Sequence, residues 1–191
     1  VSAFRLGNKN SGDILEGFLN NYPETIYRHQ TTFLIASHYY DSKEWQRALF
    51  WFNLADLDYL SLEEQEDYSF RLGYTQMQLT NTAEAIRYFG LLSQNSLTYR
   101  DAADFYLGYI EYANGNYTQA LSRFERLRNH PLYHEDISFY TAQAAFFDGK
   151  IDESIQLSDA YLLRYQISQH ITELNRLIGN SYYCLGQPTR A

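Results

Sequence analysis

The sequence repeats itself with a period of about 35 residues. The segment that starts at Phe105 aligns without a gap on the segment that starts at Phe139, and again on the segment that starts at Phe70. One small residue recurs in every copy, at Ala36, Gly73, Gly108, Ala142 and Gly179. Twelve residues after each of these comes a second small residue, at Ala48, Ala85, Ala120, Ser154 and Ala191. Such a chain folds as stacked copies of one small unit, each burying its apolar face against its neighbours.

The two small residues predict that each unit is a pair of closely packed helices. Antiparallel helices that approach closely need small side chains where their backbones cross, which assigns Gly108 and Ala120 as a crossing contact. Phe124 follows Ala120 by one helical turn and is predicted to fill the gap to the next unit. Asn114-Gly115 is a turn signal between the two helices, and Asn116 is predicted to cap the second one.

The pattern predicts an all-α chain. Asp148-Gly149 and Leu185-Gly186 supply the later turns. The helices are expected near 11–21, 27–40, 43–58, 63–79, 82–95, 99–113, 117–128, 135–147, 151–164 and 169–185.

This arrangement resembles the tetratricopeptide repeat family, in which the small residues are followed by a phenylalanine such as Phe52, Phe89 or Phe124. The resemblance implies a right-handed α-solenoid of tandem helix-turn-helix repeats. It implies one solenoid over 1–191, with the second helix of a preceding repeat at 11–23, repeats near 27–58, 63–95, 99–130 and 135–165, and a partial repeat at 169–191. The early tryptophan of the family is absent, and Ser154 and Ser158 weaken the pattern in the fourth repeat.

The composition excludes several classes of protein. Apolar residues make up 45% of the 191 residues, and 15 basic against 23 acidic residues give a net charge of −8. Such a chain can build a core but has no overall positive field for nucleic acid. No apolar run approaches the roughly 18 residues of a membrane span. A single cysteine excludes an intramolecular disulfide.

No residue pattern predicts catalysis, a metal or a cofactor. The chain has no glycine-rich phosphate loop and no metalloprotease or hydrolase motif. His130 and His134 flank Pro131, which favours a turn with exposed imidazoles over a metal pair on one helix. Cys184 is interpreted as a small packing residue. We therefore expect a protein that is not an enzyme and binds no cofactor.

The family resemblance implies that the first helices line a concave surface where partners bind. Positions −3, +1 and +4 from the small residue share one helical face. In the fifth copy Arg176 and Asn180 occupy positions −3 and +1. Two interpretations stay open: the rings of this face are core, or they line a groove for a peptide. The predicted partner-binding residues are Phe70, Arg71, Tyr74, Phe105, Tyr109, Tyr112, Phe139, Gln143 and Phe146.

The hypothesis for function is a non-catalytic scaffold that binds a peptide or protein segment of unknown identity on the concave face. The alternatives are a helical-repeat module for a glycan or small ligand, and a regulatory repeat domain of a larger enzyme. The carboxylate clamp of chaperone-binding family members is disfavoured, because Arg71 alone is basic on this face in the middle repeats.

The ends of the chain carry a further expectation. The chain begins at Val1 without a methionine and ends at Ala191 inside the pattern, so we interpret it as a fragment of a longer protein. Either end of such a stack could associate with another copy. The localisation is left unknown. The segment 19–25 and the repeat spacing are similar to repeats of bacterial cell-envelope assembly factors, which favours the envelope or periplasm.

Overall fold

The computed structural model describes residues 11–190, in which every regular element is a helix and no strand occurs. Ala191, the last predicted small residue, lies outside the described residues. Ten α-helices are connected by short loops, and two 3-10 helices occupy Leu57–Tyr59 and Pro188–Arg190. The α-helices are α1 Ser11–Asn21, α2 Arg28–Asp41, α3 Trp45–Leu54, α4 Leu62–Gln78, α5 Thr82–Asn95, α6 Arg100–Ala113, α7 Tyr117–Leu127, α8 His134–Phe147, α9 Ile151–Arg164 and α10 Ile171–Cys184.

The predicted all-helical fold is confirmed, with one helix shorter than expected. A single helix was predicted over 43–58, but α3 ends at Leu54. Ala55 has an extended backbone, and the carboxylate of Asp56 accepts a hydrogen bond from the backbone N–H of Asp58. This local hydrogen bond competes with the helix and starts the 3-10 turn instead.

The turns inside the last two helix pairs have the backbone shape that their glycines predict, whereas in the first two pairs the left-handed residues are Lys43 and Thr80. Gly115 and Gly149 have φ of 79° and 83°, a region that glycine enters without steric cost. Asn116 occupies the predicted N-cap position of α7, but its side chain does not cap the helix. Its side-chain amide donates to Glu111 Oε2 at 2.8 Å and makes no capping bond to the α7 backbone.

The contacts of the chain divide it into two compact units that meet between Arg100 and Asp101. That all the repeats form a single solenoid therefore stays a prediction. In unit 1 the core is built around the rings of Phe33, Tyr39, Phe52 and Tyr68. In unit 2 it is built around Phe105, Phe124 and Ile137, and around Phe139, Tyr161, Leu174 and Leu177.

The small residue of the third repeat makes room for a ring. A Cβ atom added at Gly108 would lie 2.7 Å from Cε1 of Phe124, closer than carbon atoms approach in proteins. The Phe124 ring is fully buried and also packs against Tyr140 of α8, with ring centroids 6.2 Å apart. The phenylalanine thus fills the space at Gly108 and reaches the next repeat.

The fourth repeat builds its core differently. The buried hydroxyl of Ser154 donates to the backbone carbonyl of Ala142 at 2.8 Å, so the two helices are joined by a hydrogen bond where the other repeats have alanine. The hydroxyl of Ser158 is buried and has no hydrogen-bond partner among residues 11–190. Tyr161, one turn later, supplies the fully buried ring of this repeat.

Candidate functional site

The first helices of the repeats are α2, α4, α6, α8 and α10, and the predicted site residues lie on three of them, α4, α6 and α8. In unit 1 three aromatic residues on or beside this face contact one another. The rings of Tyr40, Trp45 and Tyr74 meet edge to face, with centroids 5.7–5.8 Å apart for all three pairs. At these distances the three rings are in direct contact with one another. The trio is therefore a packed cluster.

The single basic residue predicted for the site is held within unit 1. Arg71 Nε lies 2.8 Å from Asp67 Oδ1, and Arg71 Nη1 lies 2.8 Å from Asp41 Oδ1. Its guanidinium carbon is also 4.9 Å from the centroid of the Tyr40 ring. Partial burial by itself lowers the pKa of Arg71, but the hydrogen bonds and negative charges of Asp67 and Asp41 together outweigh it, so the pKa is raised. Both carboxylates compete with any partner for this cation.

Each predicted phenylalanine at position −3 is covered by a ring from the loop that leads into the next first helix. Phe105 and Phe139 are 7% and 4% exposed. Tyr133 stacks on Phe105 at 4.6 Å, and His170 stacks on Phe139 at 3.8 Å. Phe70 is half-buried and stacks on Tyr99 at 5.0 Å. This placement fits the interpretation that position −3 belongs to the core.

The tyrosines of unit 2 remain partly open. Tyr109 and Tyr112 are half-buried, and both lie 5.3 Å from the ring of Tyr140. Tyr112 also meets the ring of Tyr117 at 5.9 Å, and Tyr117 stacks on the exposed ring of Phe147. These rings form a continuous aromatic wall on the first-helix side of unit 2.

A directed chain of hydrogen bonds joins three first helices of unit 2. The Tyr112 hydroxyl donates to Gln143 Oε1, and Gln143 Nε2 donates to Glu173 Oε1 at 2.7 Å. Gln143 is 6% exposed, so both bonds hold the orientation of a buried amide. Partial burial, aided by the negative charge of Glu173, raises the pKa of Tyr112 to about 12. The hydroxyl therefore stays protonated, and remains a donor, into the alkaline range where an ordinary tyrosine has lost its proton.

Beside this chain lies a pocket of about 150 Å³ on the first-helix face of unit 2. Leu177 and Phe146 give it an apolar floor, and the exposed side chains of Glu173 and Arg176 stand at its rim. Arg176 forms no ion pair within the part of the chain that the structure describes. The full lining is Tyr112, Gln143, Phe146, Phe147, Glu173, Arg176, Leu177 and Asn180.

The pocket brings together three of the predicted site residues, Tyr112, Gln143 and Phe146. The prediction missed its α10 side. Arg176 and Asn180 do occupy positions −3 and +1 of the predicted face, but they are not aromatic, and the site was predicted mainly from its aromatic residues. Glu173 lies one turn before Arg176, and the same helical spacing could have found it.

The residues considered for chemistry lie apart from one another. His130 and His134 are partly buried, which corrects the predicted exposed imidazoles: His130 stacks on Tyr133, and His134 Nδ1 lies 2.6 Å from the Tyr165 hydroxyl. Cys184 is exposed, so its predicted packing role was wrong.

Between residues 11 and 190, no group of three His, Cys, Asp or Glu side chains is placed to hold a metal ion. No helix in that range has both the length and the apolarity to cross a membrane.

Comparison with known proteins finds a family match in the third repeat and structures of similar fold. Residues 102–132 match the family model of the tetratricopeptide repeat. The chain contains a tetratricopeptide repeat. A tetratricopeptide repeat protein from Parabacteroides merdae ATCC 43184 has the same fold, with a TM-score of 0.70 at 16% identity over 94% of this chain and 68% of that chain.

Two structures of MamA share the tetratricopeptide repeat fold of this chain. MamA MSR-1 superposes with a TM-score of 0.69 at 13% identity, over 85% of this chain and 90% of that chain. MamA AMB-1 superposes with a TM-score of 0.66 at 14% identity, over 86% and 84%. No curated protein sequence matches the chain. At these identities the likeness concerns the fold.

Proposed function

We propose that this tetratricopeptide repeat chain is a non-catalytic scaffold that binds a segment of a partner protein at the first-helix pocket of unit 2. The observation that carries the proposal is that three successive first helices, α6, α8 and α10, each contribute to one pocket. A segment laid across these helices could place a side chain in the pocket and its backbone along the aromatic wall.

The chemistry of the lining suits a peptide. A volume of about 150 Å³ has room for one side chain, and the floor of Leu177 and Phe146 rewards an apolar one. The exposed amide of Asn180 can both donate to and accept from a peptide backbone. Arg176 and Glu173 at the rim offer one charge of each sign, which favours specificity over strength.

The same lining supports a role without catalysis. Its eight residues include no serine, cysteine, histidine or lysine, which are the usual nucleophiles and bases of enzymes. The one carboxylate, Glu173, is occupied by the amide of Gln143.

The test is a selection from a random twelve-residue peptide display library on the purified chain. We expect enriched peptides whose binding, measured by fluorescence anisotropy, weakens by about tenfold or more in the double variant Arg176→Glu/Asn180→Ala. Both side chains are exposed, so the variant should keep its helicity and its unfolding midpoint.

The matched control is Arg190→Glu/Asn175→Ala, which makes the same changes at exposed positions outside the pocket. Peptides that bind the pocket variant as tightly as the wild type would place the binding face elsewhere. A library that yields no peptide at all would count against peptide binding by this chain.

A further inference from the structure

Unit 2 carries a second concavity, on the side of the second helices α7 and α9. It is a groove of about 470 Å³ that lies between these two helices and above α8. The volume falls within the range of about 300–1,000 Å³ that is usual for binding sites. None of its lining residues belongs to the first-helix pocket, so the two surfaces are separate.

The floor of the groove is apolar and fixed by the core. Phe124, Ile137 and Tyr161 line it while being 0%, 2% and 1% exposed, so these side chains are held by packing on their other sides. The partly buried Leu157 adds a further apolar surface. An incoming apolar side chain would contact mainly Leu157 and the exposed Ala160, above a core that is already fixed and would not need to reorganise.

The middle of the groove is lined by small residues. Ala160 is exposed on α9, and Ser138 and Thr141 face the groove from α8. Small side chains let another backbone approach closely, as they do where helices cross. Another backbone can therefore come close to the middle of the groove.

Opposite charges stand at the two ends of the groove. Glu153 and Arg164 both line it from α9 and are eleven positions apart, about 16 Å along a helix axis. Neither side chain forms a hydrogen bond or an ion pair to another residue between 11 and 190, although Arg164 lies over the Tyr165 ring. Arg128 adds a second cation from α7 at the C-terminal end, where it is shared with Glu125.

We propose that this outer groove binds an amphipathic α-helix of about three turns from a protein partner, running in the same direction as α9. The N-terminal end of a helix is positive and the C-terminal end negative. In this direction the positive end lies at Glu153 and the negative end at Arg164 and Arg128. Apolar side chains at every third or fourth position of the helix fill the floor.

The experiment uses a display library of fourteen-residue helical peptides on an alanine framework. The positions of one face are varied among apolar residues, and each terminal turn is varied between lysine and glutamate. Peptides selected on the wild-type chain are measured by fluorescence anisotropy and circular dichroism. We expect helix formation on binding, with lysine in the first turn and glutamate in the last turn, so that pairing with Glu153 and Arg164 outweighs the opposing effect of these charges on the peptide's own helix dipole. Enrichment of the reverse order would overturn the stated direction.

Two variants test the geometry. Ala160→Trp fills the middle of the groove and should weaken binding by about tenfold or more, whereas Asp159→Trp places the same ring at the neighbouring exposed position outside the groove and should not. Glu153→Arg/Arg164→Glu reverses the charges of the ends and should reverse the preferred order of lysine and glutamate. Asp152→Arg, exposed and outside the groove, should leave that order unchanged.

Other results would overturn the proposal. It fails if the library yields no binder or if binders survive Ala160→Trp. It also fails if a proline in the middle of the peptide leaves affinity unchanged, because the groove would then take apolar groups without regard to helical shape. The first-helix variant Arg176→Glu/Asn180→Ala should bind these peptides normally, so this proposal and the proposed function can fail independently.

Discussion

The first-helix faces of the two units use the same positions in opposite ways. In unit 1, Tyr40 and Tyr74 close with Trp45 into a packed trio, and Arg71 is held by Asp67 and Asp41. In unit 2, the equivalent positions leave a pocket of about 150 Å³ with an arginine at its rim that has no ion pair among residues 11–190. A shared repeat pattern thus produces one sealed face and one open face.

One difference lies at position +1 of the residues that form the two faces. In the trio of unit 1 it is Tyr74, whereas around the pocket of unit 2 it is an amide, Gln143 or Asn180. Ser37 in unit 1 and Tyr109 in unit 2 also occupy this position, so the contrast holds for the trio and the pocket and not for every repeat. A tyrosine ring reaches its neighbours and fills the space between first helices, whereas a shorter amide leaves that space open and adds hydrogen-bonding groups.

The second helices of the units differ as well. Phe52 and Phe89 in unit 1 and Phe124 in unit 2 are fully buried at equivalent positions, but the fourth repeat has Ser158 there and moves its ring to Tyr161. The core position can change its residue as long as another ring of the same helix fills the volume.

The largest expected effect is the loss of the core of unit 2. Gly108→Leu places a branched side chain where a Cβ alone would lie 2.7 Å from Phe124, so we expect a loss of about 3 kcal/mol in the free energy of unfolding. Urea denaturation followed by circular dichroism measures it. Gly90→Ala is the control, because a Cβ there meets nothing within 4 Å; an equal loss in both variants would contradict the contact.

A tyrosine at position +1 of the fifth repeat should make unit 2 resemble unit 1. Asn180→Tyr is expected to fill the first-helix pocket and weaken the peptides selected there by about tenfold, with stability changed by less than about 0.5 kcal/mol because the position is exposed. Anisotropy measures the affinity. Asn175→Tyr on the same helix is the control, and unchanged affinity in Asn180→Tyr would show that position +1 does not decide whether the face is open.

The two buried serines of the fourth repeat should respond with opposite signs. Ser154→Ala supplies the alanine of the first three repeats but removes the hydrogen bond to Ala142, so we expect a loss of about 1 kcal/mol. Ser158→Ala removes a buried hydroxyl without a partner among the described residues and should gain up to about 1 kcal/mol. Urea denaturation of the two variants and the wild type measures both changes in the free energy of unfolding. Changes of the same sign would contradict the different roles of the two hydroxyls.

The smallest effect concerns alkaline pH. Because the pKa of Tyr112 is raised from 10.0 to about 12 in the fold, its contribution to stability is full below pH 10 and is lost as the pH rises toward 12. Tyr112→Phe should therefore lose less stability than the wild type between pH 9 and pH 11.5, measured by urea denaturation at both values. Tyr40→Phe is the counterpart in unit 1, where burial also raises the pKa. If Tyr112→Phe showed the same pH dependence of stability as the wild type, the raised pKa of Tyr112 would be contradicted.

Parts of the candidate site could be read from helical spacing, and others could not. Spacing placed Tyr112, Gln143 and Phe146 on one face, and they do meet in the pocket. The same spacing placed Phe105 and Phe139 there, but rings that arrive about thirty residues later cover them. The pairing of Arg71 with Asp67 follows from their four-residue separation, whereas its pairing with Asp41 requires two repeats to pack together.

The sequence by itself determined the period, the helices and the turns of this protein, because these depend on residues a few positions apart. Small residues twelve positions apart predict closely packed helix pairs, and Gly115 and Gly149 predict the turns inside two of these pairs. The tertiary structure alone decided which rings are core, which arginine is neutralised and where a pocket opens. Those outcomes depend on contacts between repeats, which join residues about thirty positions apart and are set by how the helices pack.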